Sequence, residues 1–327
     1  MKNEAGADHF VRIAAEERLL PLLVEDASLP ALVRDAIGRT RVWQRLFSRR
    51  AAALDLAVAR VGELLRGEPF LFLKGADYRY RLYTRTWLRP MQDIDVLVPV
   101  ARADAVTRRL EDHGLARRFP GGAVARLASY HERVFDLGDV TLEVHHSFIQ
   151  RIRYHVDYDA VWRRRAPLDA GGLAAQRLGD TDAIMYHAIS LANDQFAVPL
   201  VRYLDFWLLC RNGARELAEA VSEARRWRAE RALYGALRQT GRVFPEFETD
   251  SVRRARALLL ARPSRWFLDR AVLPGESERP SSKITRSREL WRKFWLISGF
   301  PRRAAFAVYH VYAVLKGAWL ASRARQA

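Results

Sequence analysis

Two aspartates stand two residues apart in Asp93-Ile94-Asp95-Val96-Leu97-Val98, a run that is otherwise apolar. Residues i and i+2 of a β-strand share a face, so both carboxylates point one way while Ile94, Val96 and Val98 point the other. Like charges that close repel each other unless a cation lies between them. Magnesium or manganese is the usual remedy, held by carboxylate oxygens, waters and substrate phosphates. A third carboxylate, Glu143, lies in Val140-Thr141-Leu142-Glu143-Val144-His145-His146, on the face shared by Thr141 and His145. If this strand neighbours the first, three acids meet. Taken alone, Glu143 reads equally well as a surface carboxylate on an edge strand.

The elements that must position these groups follow from the flanking pattern. Gly67-Glu68-Pro69 breaks a helix, Phe70-Leu71-Phe72-Leu73 is a short apolar run expected to form a buried strand, and Lys74-Gly75 ends it. Ala76 to Leu82 again reads as helix. A strand, a glycine corner and a helix together present backbone N–H groups at a helix start, which is an anion site by geometry. Lys-Gly alone means little; its place ahead of Asp-x-Asp gives it weight. Arg102 to His113 predicts an amphipathic helix closed by Gly114, with Leu115 to Arg118 a short strand and Pro120-Gly121-Gly122 a turn. His131 to Leu137 and Val140 to His146 predict a hairpin around Gly138-Asp139.

Upstream, apolar residues from Leu20 to Leu65 recur at three- and four-residue steps, so residues 8–66 read as helices that pack on the sheet without contacting substrate. Downstream, residues 157–165 form a short helix and 167–179 a loop. Residues 180–211 are strongly helical, with a break at Pro199. His187, Arg202 and Asp205 are polar members of these apolar helices; a buried His, or an Arg–Asp pair one turn apart, is commonly structural. Basic amphipathic helices fill 213–272. A polar linker precedes a tail whose apolar stretch from Ala304 to Ala321 contains Lys316 and so falls short of a clean membrane span. The expected organisation is N-terminal helices (1–66), a core sheet (67–156), a helical domain (157–272), and a linker with C-terminal helices (273–327).

The net charge is +17, with 55 basic residues against 38 acidic ones, most of the basic residues being arginine. Arginine binds phosphate bidentately and stacks on bases, which favours nucleotide or nucleic-acid partners. Arginine richness also follows from codon usage in a high-GC genome, so the charge carries half of that weight. Trp162-Arg163-Arg164-Arg165 and Arg225-Arg226-Trp227-Arg228 combine aromatic and basic residues as nucleic-acid grooves do, and also as solvated helix faces do. A single cysteine, Cys210, excludes an internal disulfide framework and a cysteine-built zinc site. With no apolar run behind the N-terminus, this suggests a cytoplasmic protein.

Taken together, an apolar strand, a Lys-Gly corner, a helix, an Asp-x-Asp strand and a later acidic strand resemble the polymerase-β-type nucleotidyltransferase superfamily. Within it the chain resembles a bacterial group of uncharacterised nucleotidyltransferases, on four features. These are Leu73-Lys74-Gly75, the run Arg89-Pro90-Met91-Gln92-Asp93-Ile94-Asp95-Val96-Leu97-Val98, Glu143-Val144-His145, and His187 followed by Arg202-Tyr203-Leu204-Asp205. The resemblance spans about residues 60–215 by motif order. The wider superfamily usually has Gly-Gly or Gly-Ser where Lys74-Gly75-Ala76 stands, and Asp where Glu143 stands.

The resemblance implies an α+β fold with a small mixed sheet, N-terminal helices and a helical C-terminal region. It implies two-metal transfer of a nucleoside monophosphate from a nucleoside triphosphate to a hydroxyl acceptor, with release of pyrophosphate. Asp93, Asp95 and Glu143 would hold Mg2+ or Mn2+. Lys74, Gly75 and Ala76 would cradle phosphates. Arg89 would either neutralise the leaving pyrophosphate or salt-bridge one of the aspartates. His145 would orient the acceptor or a water, or else be a satisfied core histidine. His187, Arg202 and Asp205 would form the floor of the nucleotide pocket. The acceptor is a small molecule, a protein or, as the charge suggests, an RNA. Two competing readings are a catalytically idle nucleotide- or RNA-binding protein, and a membrane-surface scaffold docked through residues 300–322.

Overall fold

The computed structural model describes residues 4–24, 28–29, 31–38, 42–118, 131–150, 153–211, 214–275 and 286–307. The expected turn at Pro120 and the part of the tail beyond residue 307 lie outside them. Helices α1 (Glu4–Glu16), α2 (Leu20–Leu23), α3 (Ala31–Gly38) and α4 (Val42–Leu64) lead into β1 (Leu71–Leu73) and α5 (Lys74–Arg81). Then come β2 (Asp93–Leu97), α6 (Ala103–Asp112) and the hairpin β3 (Glu132–Leu137) and β4 (Val140–His145). They are followed by α7 (Tyr158–Arg163), β5 (Ala166–Ala170) and β6 (Leu173–Arg177). A helical region follows: α8 (Asp180–Asn193), α9 (Leu200–Arg211), α10 (Ala214–Arg226), α11 (Glu230–Val243), α12 (Asp250–Leu259), α13 (Arg262–Phe267) and α14 (Arg286–Leu296). The fold is α+β, as expected.

The strands form one mixed six-stranded sheet in the order β3-β4-β2-β1-β6-β5. β1 and β2 run antiparallel, β2 and β4 parallel, β1 and β6 parallel. Residues 167–179, which read as a loop, are instead largely the β5–β6 hairpin, so the sheet continues past residue 156. The hairpin turns at Gly171 and Gly172, whose φ angles of +69° and +91° suit residues without a Cβ. The Asp169 carboxylate accepts a hydrogen bond from the Gly172 N–H at 2.7 Å.

Alternation splits the central strands between two cores. Phe72, Ile94, Val96, Leu142 and Val144 face one way and pack with Val58 and Val61 of α4 and Val106 and Leu110 of α6. Leu71, Leu73 and Leu97 face the other way and join the core built by the helical region, with Ile184, Tyr186, Phe206 and Trp227. Asp93 and Asp95 share the face of Leu97. The carboxylates therefore look toward the helical region, and the same alternation that buries Leu97 aims them there. At about 25 cal/mol per Å2 of apolar area, such two-sided burial dominates the stability of the sheet.

Candidate active site

β2 and β4 lie in register, Asp93 opposite Thr141, Asp95 opposite Glu143 and Leu97 opposite His145. Neighbouring residues of parallel strands project to the same side, so Glu143 stands beside Asp95. β4 is an interior strand, with β3 outside it, so the edge-strand reading of Glu143 does not hold. Asp95 is 1% exposed and carries two cationic contacts. Lys74 donates from Nζ to Asp95 Oδ1 at 2.5 Å, and His145 Nε2 lies 2.8 Å from the same oxygen. His145 Nε2 is also 3.5 Å from Glu143 Oε2.

The electrostatics follow from this arrangement. Burial disfavours the Asp95 carboxylate, yet the Lys74 ammonium and the His145 hydrogen bond outweigh it and hold Asp95 below the usual carboxylate range. For Asp93 burial and the charge of Asp95 outweigh the more distant Lys74, and its pKa is raised. Burial pulls Lys74 down, but Asp95, Tyr186 and Glu143 prevail and lift it well above its ordinary value. His145 resists burial through hydrogen bonds to Asp95 and Glu143, which push its pKa up to about 9.

The corner that presents Lys74 is built with strain. Lys74 has φ = +46°, a left-handed conformation that a side chain adopts at a cost of about 1–3 kcal/mol. The glycine beside it answers a different need. A Cβ on Gly75 would stand 3.1 Å from Met91 Cβ, so Gly75 lets the corner seat directly on the loop ahead of Asp93. No side chain caps the start of α5, so its leading N–H groups have no side-chain acceptor there.

Arg89 pairs with neither aspartate of β2. Its Nε and Nη2 meet both oxygens of Asp205 at 2.7–2.9 Å, and Tyr83 Oη donates to Asp205 Oδ1 at 2.8 Å. The Arg202–Asp205 pair expected along one helix does not form; Arg202 donates to Asp194 and to Ser190 Oγ, the latter at 2.6 Å. His187 Nδ1 lies 3.2 Å from Tyr78 Oη on α5, and its Nε2 is 2.8 Å from the Arg202 carbonyl oxygen. Burial holds His187 down to about 3, so it is neutral. These motif residues tie α8 and α9 to the corner helix and to the loop before Asp93.

Three contributors escaped the sequence reading. Arg18, at the end of α1, donates to Gln92 Oε1 at 2.9 Å, which brings an N-terminal arginine next to Asp93. Burial and Arg89 lower its pKa while Asp93 raises it, a sign of their proximity. Glu17 fastens this segment by accepting from the Leu200 N–H at 2.8 Å. The segment between α1 and α2 thus reaches the loop ahead of Asp93. The third contributor is Glu132, opposite His145 on β3. Trp227, in a stretch that read as either a nucleic-acid groove or a solvated helix face, is fully buried in the helical core and presents no face to a base.

Across residues 3–245 the chain matches the family model described as uncharacterised nucleotidyltransferase. The protein belongs to that family. The match extends past the expected 60–215 on both sides and takes in the N-terminal helices, consistent with Arg18 reaching the loop of Asp93. No curated protein matches the chain. In this nucleotidyltransferase, Asp95, Glu143 and His145 place one ligand atom each within 4.8 Å of one another, close enough to surround a metal ion. Among the described residues no helix is long and apolar enough to cross a membrane.

Proposed function

We propose that the protein transfers a nucleoside monophosphate from a nucleoside triphosphate to a hydroxyl acceptor, with Asp93, Asp95 and Glu143 holding Mg2+ or Mn2+. The single observation that carries this reading is the register of Asp95 with Glu143 on adjacent parallel strands. Three carboxylates on one sheet face form a hard, oxygen-rich donor set that fits these ions. Lys74 and His145, which both contact Asp95, mark the same demand for positive charge.

The acceptor oxygen attacks the α-phosphorus and forms a new P–O bond. The bond from that phosphorus to the bridging oxygen breaks, pyrophosphate leaves, and the hydroxyl proton passes to a carboxylate or to water. A bound divalent cation supplies charge neutralisation to the attacking and leaving oxygens. Lys74 and the N–H groups of Gly75 and Ala76 receive phosphate oxygens, which requires Lys74 to leave Asp95 as substrate enters. Arg89, locked on Asp205, holds the loop that delivers Asp93. His145 orients Asp95. His187, Arg202 and Asp205 set the distance between the corner and the helical floor. A basic surface suits a polyanionic acceptor such as RNA.

A second reading, a catalytically idle nucleotide-binding protein, draws on the Lys74–Asp95 contact, in which a side-chain ammonium neutralises a carboxylate that the transfer reading assigns to a metal. Incubation with each α-phosphate-labelled triphosphate, Mg2+ and cell extract separates the two. Label in a small molecule, protein or RNA that is lost in Asp93→Asn supports transfer and names the acceptor class. Triphosphate binding without transfer or pyrophosphate release supports the idle protein.

A further inference from the structure

A second set of ligand-type side chains lies behind the carboxylates, on the outer hairpin. β3 enters the sheet at Glu132, directly opposite His145 in the antiparallel β3–β4 register, with His131 immediately before it. Glu132 Oε2 is 3.3 Å from His131 Nε2 and 3.4 Å from His145 Nδ1. Tetrahedral coordination with zinc–nitrogen and zinc–oxygen bonds of about 2.0–2.2 Å has ligand–ligand edges of about 3.3–3.5 Å. Both contacts to Glu132 have that length. One ligand atom from each of the three residues falls within 4.8 Å of the others.

His145 is oriented for such a role. It is 2% exposed, and its Nε2 lies 2.8 Å from Asp95 Oδ1. A carboxylate accepts and does not donate, so the Nε2–H donates to Asp95, and a metal ion takes Nδ1 by displacing the proton which that nitrogen carries in the imidazolium. That Nδ1 is buried, makes no hydrogen bond and faces Glu132. A carboxylate that fixes the tautomer of a histidine whose other nitrogen is free is the usual outer support of a metal ligand. Two imidazole nitrogens and one carboxylate oxygen suit zinc, with a fourth position left to water or substrate. They do not suit magnesium, which takes oxygen ligands.

We propose that His131, Glu132 and His145 bind one transition-metal ion of the zinc class, beside the oxygen-donor site of Asp93, Asp95 and Glu143 and bridged to it by the His145–Asp95 hydrogen bond. The ion takes Nδ1 of His145, a ring nitrogen of His131 and the Glu132 carboxylate. The His131 and His145 rings have centroids 6.0 Å apart, with their ligand nitrogens within 4.8 Å of each other. The proposal does not depend on triphosphate turnover, so a failed transfer assay leaves it standing and its own failure leaves the transfer reading standing.

The test uses the full chain, stripped with EDTA, incubated with zinc sulfate in excess magnesium chloride, desalted and analysed for metal. About one zinc per chain is expected to remain, and Co2+ in its place should give the visible d–d absorption of a four- or five-coordinate site. His131→Ala and Glu132→Gln should each lose both signals while keeping the circular dichroism of the metal-free parent. Asp93→Asn should keep both. The near-isosteric Glu132→Gln keeps the test decisive if His131→Ala folds poorly. No retained zinc in the parent overturns the proposal, as does zinc retained by Glu132→Gln or lost only in Asp93→Asn.

Discussion

Asp205→Ala should be among the most damaging single changes outside the carboxylate cluster. Arg89 and Asp205 have side chains 7% and 0% exposed, so neither charge is relieved by water. Removing one partner of a buried, bidentate pair leaves the other charge unpaired, at a cost of about 3–5 kcal/mol. Tyr83 Oη loses its acceptor as well, adding about 1 kcal/mol. Urea unfolding followed by tryptophan fluorescence should show a loss of about 4–6 kcal/mol, a large part of the ~5–15 kcal/mol typical of a folded domain. The double variant Arg89→Met/Asp205→Leu removes both charges and should recover most of that loss, giving a coupling energy of a few kcal/mol. A loss under about 1 kcal/mol for Asp205→Ala, or a double variant as damaged as the sum of its singles, would refute the reasoning. The pair would then not carry the tie between the helical floor and the loop of Asp93.

Other outcomes follow from single contacts. His187 is held at about 3 in the fold against about 6.5 unfolded, so the unfolded chain binds the extra proton between those values and stability falls as pH drops below 6.5. Between pH 7 and 5 its contribution is about 2 kcal/mol, and the pH profile of His187→Gln should be flatter by that amount. Gly75→Ala puts a Cβ 3.1 Å from Met91 Cβ and should cost about 1–3 kcal/mol; equal stability of Gly75→Ala and the parent would contradict the close seating. Lys74→Met removes the ammonium that compensates Asp95, so Mg2+ should raise the melting temperature of this variant more than that of the parent. An equal Mg2+ response in both would show that Lys74 and the ion do not share Asp95.

The β1–α5–β2 stretch and the β3–β4 hairpin were legible because their apolar alternation and their bounding glycines are strong local signals. β5 and β6 were not. Ala166-Pro167-Leu168-Asp169-Ala170 and Leu173-Ala174-Ala175-Gln176-Arg177 have weak strand propensity, and the pairing of β6 with β1 comes from across the fold. The Gly171-Gly172 pair between two five-residue stretches was the available hairpin signal. At the site, residue types and spacing singled out the acids and the motif arginines but not their partners. Arg89 and Asp205 were both marked, yet 116 residues separate them and nothing local announces the pair. Arg18 reaches Gln92 through a backbone at φ = +58°, a conformation that an arginine does not advertise. Glu132 carries no local signal of its own, and only the register sets it opposite His145.

Pyrophosphate release from a nucleoside triphosphate in Mg2+, compared between the parent and Glu143→Gln, tests most directly the claim that the three carboxylates act as one site. Glu143 is the member that only the register of β2 and β4 brings to Asp95. Magnesium-dependent release by the parent is expected, with a loss of at least about 100-fold in Glu143→Gln, or about 2.7 kcal/mol of transition-state stabilisation. Asp93→Asn should fall as far. Glu143→Gln turning over at the parent rate while Asp93→Asn is inactive would make Glu143 a neighbour of the site and not part of it, and the three-carboxylate assignment would fall.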